Sequence, residues 1–525
     1  MDFLDLLMRE PLKQFYATGT ERPEQWRGGP LPPASMLKYI EEVRKHLLLR
    51  IPAASQCARN RAVKPVQKLA WHVAVGMTVK KVHEVGLFSS YVDKLMSTMA
   101  SAYNHNISHL VDFGSGQNYL GRALASPPYS KHIVAIETKG HNQDKAKQFD
   151  TIAKLTPRQR YMYNKKATIA GRELDGVTRT PPEQDQSVAV EKERIGVKVD
   201  PAADGVGSVQ YVEHFIKDGD LSDVVEQVAA SESSIDDPIV GTMENNPNIM
   251  VMSLHSCGNL VHHGLRSLVM NKAVTAVAMV GCCYNLVTER LSPATYKLPE
   301  LRPSAHPRVE LESTACDPHG FPMSERLCNL HGQGIRLNIT ARMMAVQAPQ
   351  NWGEKDSNGF FTRHFYRALL QRIFLDKGVV GPPSVDNIGG SPLGHSSGTP
   401  IIIGSLRKAC YADFVSYVRG ALAKLTVNPE RGALFKEKLS DLTDDDIEYY
   451  AQQYAHRKKE LSAIWSLMAF SAGVVEAVIV ADRYSWLKEQ REVAHAWAEP
   501  VFDYALSPRN LVIVGVKRQG EAETL

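Results

Sequence analysis

The stretch VDFGSGQNYLGRAL, residues 111–124, places an acidic residue and two glycines where a strand is expected to pass into a helix. Asp112, Gly114 and Gly116 stand there in the order Asp-x-Gly-x-Gly. Glycines at such a turn let a ligand approach the backbone N–H groups and the positive end of the helix, where larger side chains would block it. Gly114, Ser115 and Gly116 are therefore predicted to form part of a ligand site.

Two phosphate-binding motifs are missing from the sequence, and their absence restricts which ligand could bind there. The third glycine of a dinucleotide-binding fingerprint would fall at Tyr119, and no Gly-x-x-x-x-Gly-Lys-Ser/Thr phosphate loop occurs. S-adenosylmethionine, which has no phosphate, fits: Asp112 would face its ammonium group and the N–H groups of the loop its carboxylate. Glu137 in VAIE, at the end of the next predicted strand, would accept hydrogen bonds from the ribose hydroxyls.

The elements that position these residues follow from the change of period along the chain. Short apolar runs alternate with helical segments from residue 109 onward, which is typical of a parallel α/β sheet. The runs at 248–258 and 273–285 are nearly continuous in apolar residues, as strands covered on both faces require. Residues 510–517, NLVIVGVK, are predicted to add a closing strand.

Composition divides the chain further. We predict a helical N-terminal cap at 1–104, an α/β core at 105–290 and a loop-rich segment at 291–335. A large helical insertion is predicted at 336–460, and a C-terminal helix with the closing strands of the core at 461–525. Within the core, 169–208 and 231–247 are rich in polar residues, glycine and proline, and are predicted to be solvated insertions.

Length, charge and cysteine usage exclude several classes of protein. A chain of 525 residues is too long for one compact core, and its formal net charge of +4 permits an acidic partner without requiring one. Seven cysteines without paired short spacings indicate a reducing compartment. Acidic residues near the N-terminus argue against a transit peptide, and no run approaches the ~18 apolar residues that span a bilayer. We expect a cytoplasmic or nuclear protein without a membrane partner.

Cysteine and histidine residues end the two most apolar strands, and they are the candidate catalytic residues. His255 and Cys257 close the first of these strands, and Cys282, Cys283 and Tyr284 close the second. Because ligands bind at the carboxyl ends of parallel strands, these side chains are predicted to meet beside the methyl donor. They could fill space as small buried residues. Alternatively, a thiolate could add to C6 of a pyrimidine and activate C5 for methylation.

A metal site is the third interpretation of the same residues. Histidine with two or three cysteines can form a tetrahedral zinc set. Adjacent residues of a strand point to opposite faces, however, so Cys282 and Cys283 are not expected to share an ion, and we predict no metal ligand. The stretch CDPHGFPMSERLCNLH, residues 316–331, has cysteine and histidine spacing that could bind zinc, or it forms a loop closing over a cleft.

Several segments taken together resemble the methyltransferase-like protein 25 family. They are VDFGSGQNYLGRAL, VAIE, SLHSCGNL, VGCCYN and SPRNLVIVGVK, with MTVKKVHEV before them and RHFYRALLQ, CYADFVSYVRGALAKL and VIVADRYSWL in the second half. The resemblance implies a Rossmann-like class I methyltransferase fold with S-adenosylmethionine as cofactor. Asn259 stands where the family often has Asp, and Asn285 where it often has His.

The predicted function is S-adenosylmethionine-dependent methylation of a macromolecule, with RNA, including ribosomal RNA, ahead of protein. The family includes members regarded as ribosomal RNA methylases. A Rossmann-like fold does not by itself establish turnover. A cofactor-binding scaffold without activity, such as a ribosome-associated assembly factor, is therefore the alternative.

Overall fold

The computed structural model describes nine ranges of the chain, which are 2–16, 23–51, 68–163, 194–232, 247–291, 316–380, 401, 403–429 and 432–519. Much of the predicted insertions at 169–208 and 231–247, and residues 292–315 of the loop-rich segment, lie outside the described residues. The chain divides into two compact units. The first contains Met1–Arg50, His255–Leu265 and Gly281–Glu499, and the second contains Ile51–Leu254, Arg266–Val280 and Pro500–Leu525.

A main sheet of seven strands is formed by the described residues. Its strands in chain order are β1 His109–Phe113, β2 His132–Ile136, β5 Val209–Val212, β6 Ile249–Cys257, β7 Val274–Cys283, β8 Val493–Pro500 and β9 Leu511–Lys517. They lie in the order β5-β2-β1-β6-β7-β9-β8. Numbered within this sheet alone, the order is 3-2-1-4-5-7-6, which is typical of class I methyltransferases. The predicted fold class is confirmed.

Parallel pairing brings the carboxyl ends of the central strands to one edge of the sheet. β1 pairs in parallel with β2 and with β6, and β2 pairs in parallel with β5, whereas β9 is antiparallel to β7. Asp112 of β1 lies level with Ala135 of β2 and Met252 of β6. The middle residues of these strands are fully buried, which is why their sequences are continuously apolar.

A second, two-stranded sheet corrects part of the predicted insertion. β3, Arg158–Tyr163, pairs antiparallel with β4, Arg194–Asp200, so residues 194–200 of the segment 169–208 form a strand and not a loop. β4 reads RIGVKVD, in which apolar and polar residues alternate over part of its length. That alternation is the signal of a strand covered on one face, and the glycine- and proline-rich composition before it obscured the signal.

Helices make up most of the remaining described residues. In chain order they are α1 Asp2–Met8, α2 Lys13–Tyr16, α3 Ala34–Lys45, α4 Val79–Tyr103, α5 Tyr119–Ala125, α6 Gly140–Ile152, α7 Ser222–Glu232, α8 Leu260–Met270, α9 Glu325–Cys328, α10 Ile339–Ala345, α11 Glu354–Asp376, α12 Phe414–Leu425, α13 Gly432–Lys438, α14 Asp444–Gln453 and α15 Arg457–Glu489. Helices α11, α12, α13 and α14 bury a shared apolar core that includes Phe374, Tyr417 and Phe435. This packing gives the predicted helical insertion a core of its own.

Helix α15 is the helix in the described part of the chain that is long and apolar enough, by length and composition alone, to cross a membrane. This finding corrects the expectation that no run approaches that length. The core helix of a folded unit passes the same test, and α15 packs as one. Phe470, Ala472 and Ile479 belong to three different apolar clusters of the first unit. Its ionisable residues Asp482 and Arg483 are buried as well.

Asp482 fixes α15 to the chain segment that leads into α9. Its carboxylate accepts hydrogen bonds from the backbone N–H of Met323 at 2.7 Å and of Ser324 at 2.9 Å, and from the Ser324 hydroxyl at 2.7 Å. Burial raises the pKa of this carboxyl group, and the three donors oppose that shift. The carboxylate thus satisfies donors that would otherwise be buried without a partner.

We expect Asp482→Ala to lower the free energy of unfolding of the first unit by about 2–4 kcal/mol, because three buried donors lose their acceptor. Urea unfolding followed by tryptophan fluorescence measures the change. Asp445→Ala, at an exposed position of α14, is the matched control and should change the free energy by less than about 0.5 kcal/mol. Equal effects of the two substitutions would contradict this role for Asp482.

Candidate functional site

The glycine loop lies between β1 and α5 in the second unit. Gly114 has φ of 68° and Gly116 has φ of 59°, both in the left-handed region that favours glycine. The backbone N–H of Ser115 donates a hydrogen bond of 3.0 Å to the carbonyl oxygen of Ile136, the last residue of β2. The loop is therefore fixed to the carboxyl end of the neighbouring strand.

Glu137 follows β2 directly and faces the loop. The backbone N–H of Lys139 donates to its Oε1 at 2.9 Å, which orients the carboxylate. A Cβ added at Gly116 would lie 4.0 Å from Oε2 of Glu137. A side chain at position 116 would therefore occupy the space in front of this carboxylate. Glu137 thus lies at the end of the second strand, beside Gly116, and its role toward the ribose stays a prediction.

Asp112 is the buried acidic residue of the group, with 3% of its surface exposed. Burial, which is the larger cause, and the charge of Glu137 together raise its pKa to about 8. In the free protein this carboxyl group is therefore largely protonated at neutral pH. A cation placed beside it would favour the ionised form.

One buried polar atom adds to the fit with S-adenosylmethionine. Among the described residues, Ser115 Oγ is buried and has no hydrogen-bond partner, and it lies on the loop that the sequence assigns to the carboxylate of the cofactor. Asn118 Oδ1 is also buried without a partner, but it faces the space that a side chain at Gly121 would fill. Together with a buried carboxylate for an ammonium group and a second carboxylate for hydroxyls, Ser115 fits this cofactor.

Arg122 is a positioning residue that the sequence interpretation missed. Its guanidinium group is fully buried and donates to the carbonyl oxygens of Val73 at 3.0 Å and Val75 at 2.9 Å. The Tyr119 hydroxyl donates to the carbonyl oxygen of Gly76 at 2.9 Å. The segment before α4 is thereby held against the start of α5. An arginine within the apolar run YLGRALA was the available signal.

The candidate catalytic cysteines converge in the first unit. The Cys257 sulfur lies 3.1 Å from that of Cys283 and 3.6 Å from that of Cys282, and the last two sulfurs are 3.3 Å apart. The expectation that Cys282 and Cys283 point to opposite faces is wrong. Cys283 is the last residue of β7, and the chain passes from it into the short 3₁₀ turn Tyr284–Leu286.

The thiols of Cys257 and Cys282 differ in pKa. Hydrogen bonding with the Cys282 thiol is the largest cause that lowers the pKa of Cys257, and burial opposes it. The Cys283 thiol and the charge of His255 also lower this pKa, and the net result of all these causes is a value of about 6. The same contact with Cys257 is the largest cause that raises the pKa of Cys282. Cys257 is therefore the thiol that ionises first.

His255 and Tyr284, the other two candidate catalytic residues, have different surroundings. His255 is half-buried within β6 and has φ of 68°, a conformation that is uncommon for a residue other than glycine. Tyr284 is buried, and its hydroxyl donates to Oε1 of Glu476 at 2.9 Å. The tyrosine ring also lies 5.5 Å from the guanidinium carbon of Arg483.

Asn259 stands where the family that this chain resembles often has Asp, and its hydrogen bonds explain the difference. Its side-chain amide donates to Asp317 Oδ2 at 2.8 Å and also contacts the Thr288 hydroxyl, while its Oδ1 accepts from the backbone N–H of Thr288. An aspartate at 259 could not donate and would repel Asp317. The asparagine at this position is therefore explained by its hydrogen bond with Asp317, which lies 58 residues away in the sequence.

The second cysteine and histidine stretch does not form a ligand set. His319 accepts a hydrogen bond through its carbonyl oxygen from Nδ1 of His262 at 2.8 Å, and the Cys328 sulfur lies 3.2 Å from an Arg290 nitrogen. Among the described residues, the group close enough for a single metal ion consists of Cys257, Cys282 and Cys283.

Comparisons with known proteins agree with the geometry. Residues 80–290 match the family model of a methyltransferase domain. The chain is 24% identical over 511 residues to the human protein named "Probable methyltransferase-like protein 25", an alignment that covers 84% of this chain and 75% of the human one. The mouse protein of the same name is 27% identical over 282 residues, 53% of this chain and 39% of its own length. No solved structure matches the chain significantly.

We expect Asp112→Asn and Glu137→Gln each to weaken the binding of S-adenosylmethionine by about tenfold to a hundredfold, because each removes a charged hydrogen-bond acceptor. Isothermal titration calorimetry measures the affinity. Glu226→Gln, on the exposed side of α7, is the matched control and should leave it unchanged. Wild-type affinity in both site variants would contradict the assignment.

Proposed function

The chain is homologous to methyltransferase-like protein 25 and carries a methyltransferase domain, and we propose that it transfers a methyl group from S-adenosylmethionine to a macromolecule, with RNA favoured over protein. The observation that carries this proposal is the placement of Asp112 and Glu137 around the loop Gly114–Gly116. When bound, the cofactor supplies the methyl group as a sulfonium, whose positive charge disappears during transfer.

The residues of the chain would bind and orient this donor. Asp112 would accept from its ammonium group, Glu137 from its ribose hydroxyls, and the loop N–H groups would donate to its carboxylate. Ser115 Oγ would gain a partner. A methyl transfer to a nucleophilic acceptor depends mainly on the alignment of the two reactants. Holding the cofactor rigidly is therefore the main catalytic contribution of this site.

A basic and aromatic surface supports RNA as the acceptor. Trp71 is 78% exposed, and exposed Lys68 and Lys80 occupy the same segment before and into α4. The Lys81 ammonium lies 4.5 Å from the centre of the Tyr119 ring, which directly follows the glycine loop. Bases stack on exposed aromatic rings, and lysines neutralise phosphates. The segment that carries Lys68, Trp71, Lys80 and Lys81 therefore approaches the cofactor loop through the contact of Lys81 with Tyr119.

The direct test incubates the purified chain with methyl-labelled S-adenosylmethionine and either RNA or protein fractions from cells that lack this protein. We expect label in RNA, with Trp71→Ala and Lys80→Ala raising KM for RNA at least about fivefold, since stacking contributes about 1–3 kcal/mol per base. Lys272→Ala, an exposed lysine elsewhere in the second unit, is the control. Label in the protein fraction would contradict RNA as acceptor. Cofactor binding without transfer to either fraction would establish the scaffold instead.

The affinity for S-adenosylmethionine should depend on pH through Asp112. Its pKa of about 8 in the free protein means that binding an ammonium group below that pH releases close to one proton. The affinity should therefore rise from about pH 6 to about pH 8, by up to about tenfold per unit, and then level off. Calorimetry in buffers of different ionisation enthalpy counts the released protons. Binding without proton release at neutral pH would contradict the raised pKa, and Asp112→Asn should remove the dependence.

A further inference from the structure

The three convergent cysteines are not explained as space-filling core residues. Cys257 is exposed, and Cys282 and Cys283 are partly exposed. Unreactive structural cysteines are usually among the most buried residues of a protein. Their sulfurs nevertheless lie within 3.6 Å of one another. A disulfide would need a separation of about 2.05 Å, so each of these contacts is between separate thiols.

We propose that Cys257, Cys282 and Cys283 together coordinate one thiophilic closed-shell metal ion, Zn²⁺ or Cu⁺. This proposal is independent of the function proposed above. Thiolate ligands select these two ions from the common metals of the cell. A tetrahedral zinc with metal–sulfur bonds of about 2.3 Å holds its sulfurs about 3.8 Å apart. The sulfurs observed at 3.1–3.6 Å therefore need to separate by only about 0.2–0.7 Å.

The backbone holds the two strand ends in the arrangement that such a site needs. Gly258 has φ of 56°, and a Cβ added there would lie 2.6 Å from the carbonyl oxygen of Leu286. Its N–H donates to the carbonyl oxygen of Cys283 at 3.3 Å. The turn after Cys257 and the turn after Cys283 are thus in direct contact. This contact accompanies the approach of the three sulfurs to within 3.6 Å of one another, which is the preorganisation that a ligand set requires.

A buried cation offsets part of the negative charge that three thiolates would bring. The Arg483 guanidinium is fully buried, and its Nη1 would lie 2.7 Å from a Cβ added at Gly281, the residue before Cys282. Three thiolates with Zn²⁺ carry a net charge of −1, so a fixed arginine beside the cluster favours the loaded state. Because Gly281 has no side chain, the guanidinium group of Arg483 fits beside it.

Three protein ligands leave one position of a tetrahedral zinc for water or another exchangeable ligand, as in catalytic zinc sites. The exposed Cys257 places the cluster within reach of solvent. The metal must displace the thiol protons, so loading should be stronger at higher pH and should release protons.

The test is metal analysis of the full chain, purified under reducing conditions without a metal-binding tag. We expect about one equivalent of zinc or copper per chain, retained after desalting. Cys257→Ser and Cys282→Ser should each retain less than a tenth of it. Cys316→Ser is the matched control, an exposed cysteine of the same unit that lies outside the cluster, and it should retain the wild-type amount.

A second measurement keeps the proposal testable if a variant fails to fold. Reduced, metal-free wild-type chain titrated with Co²⁺ should develop a thiolate-to-cobalt charge-transfer band and tetrahedral d–d bands that saturate at one equivalent. The proposal is overturned if the native chain carries less than a tenth of an equivalent of either metal and Co²⁺ produces no such band. It is also overturned if Cys257→Ser retains the full amount of metal, or if mass spectrometry shows Cys257 joined to Cys283 in a disulfide in the native chain.

Discussion

Burial of the Asp112 carboxyl group at the end of the central strand is the constraint on which the candidate cofactor site depends. A carboxylate with 3% exposure, close to the charge of Glu137, is costly to ionise, and its pKa of about 8 expresses that cost. In the free protein the Asp112 carboxyl group avoids this cost by staying protonated. In a complex, the ammonium group of the ligand would stabilise the ionised carboxylate by pairing with it. The fold therefore favours a cationic ligand before any specific contact is counted. The glycine loop and Glu137 then restrict which cation fits.

The first unit depends on a different set of buried charges, all of which involve helix α15. Asp482 holds the segment that leads into α9, and Glu476 accepts from the Tyr284 hydroxyl. Arg483 lies beside Gly281 and over the Tyr284 ring. Two of these residues, Glu476 and Arg483, thus contact the end of β7, where the cysteines converge. A helix that is apolar enough to cross a membrane by composition is used here to position polar groups inside a protein core.

The sequence predicted the sheet, and the positions of Asp112 and Glu137 at the ends of their strands, because both follow from local rules. Buried parallel strands are mostly apolar, and the acidic residue of a nucleotide fold follows the second strand, so β1, β2 and Glu137 were identifiable. Features set by partners elsewhere in the chain were not. Asn259 is explained by its hydrogen bonds with Asp317 and Thr288, and the sulfurs of Cys282 and Cys283 approach each other at the end of β7. β4 was missed because composition was given more weight than its alternating pattern.

We propose that a sulfonium nucleoside binds across the ends of β1 and β2, and a crystal structure of the chain grown with S-adenosylhomocysteine is the most direct test. We expect density for the ligand with its ammonium nitrogen within hydrogen-bond distance of Asp112 and both ribose hydroxyls within that distance of Glu137. Its carboxylate should lie against the N–H groups of the loop Gly114–Gly116. Ligand density elsewhere on the protein, or a bound ligand that neither carboxylate contacts, would contradict this placement of the cofactor site.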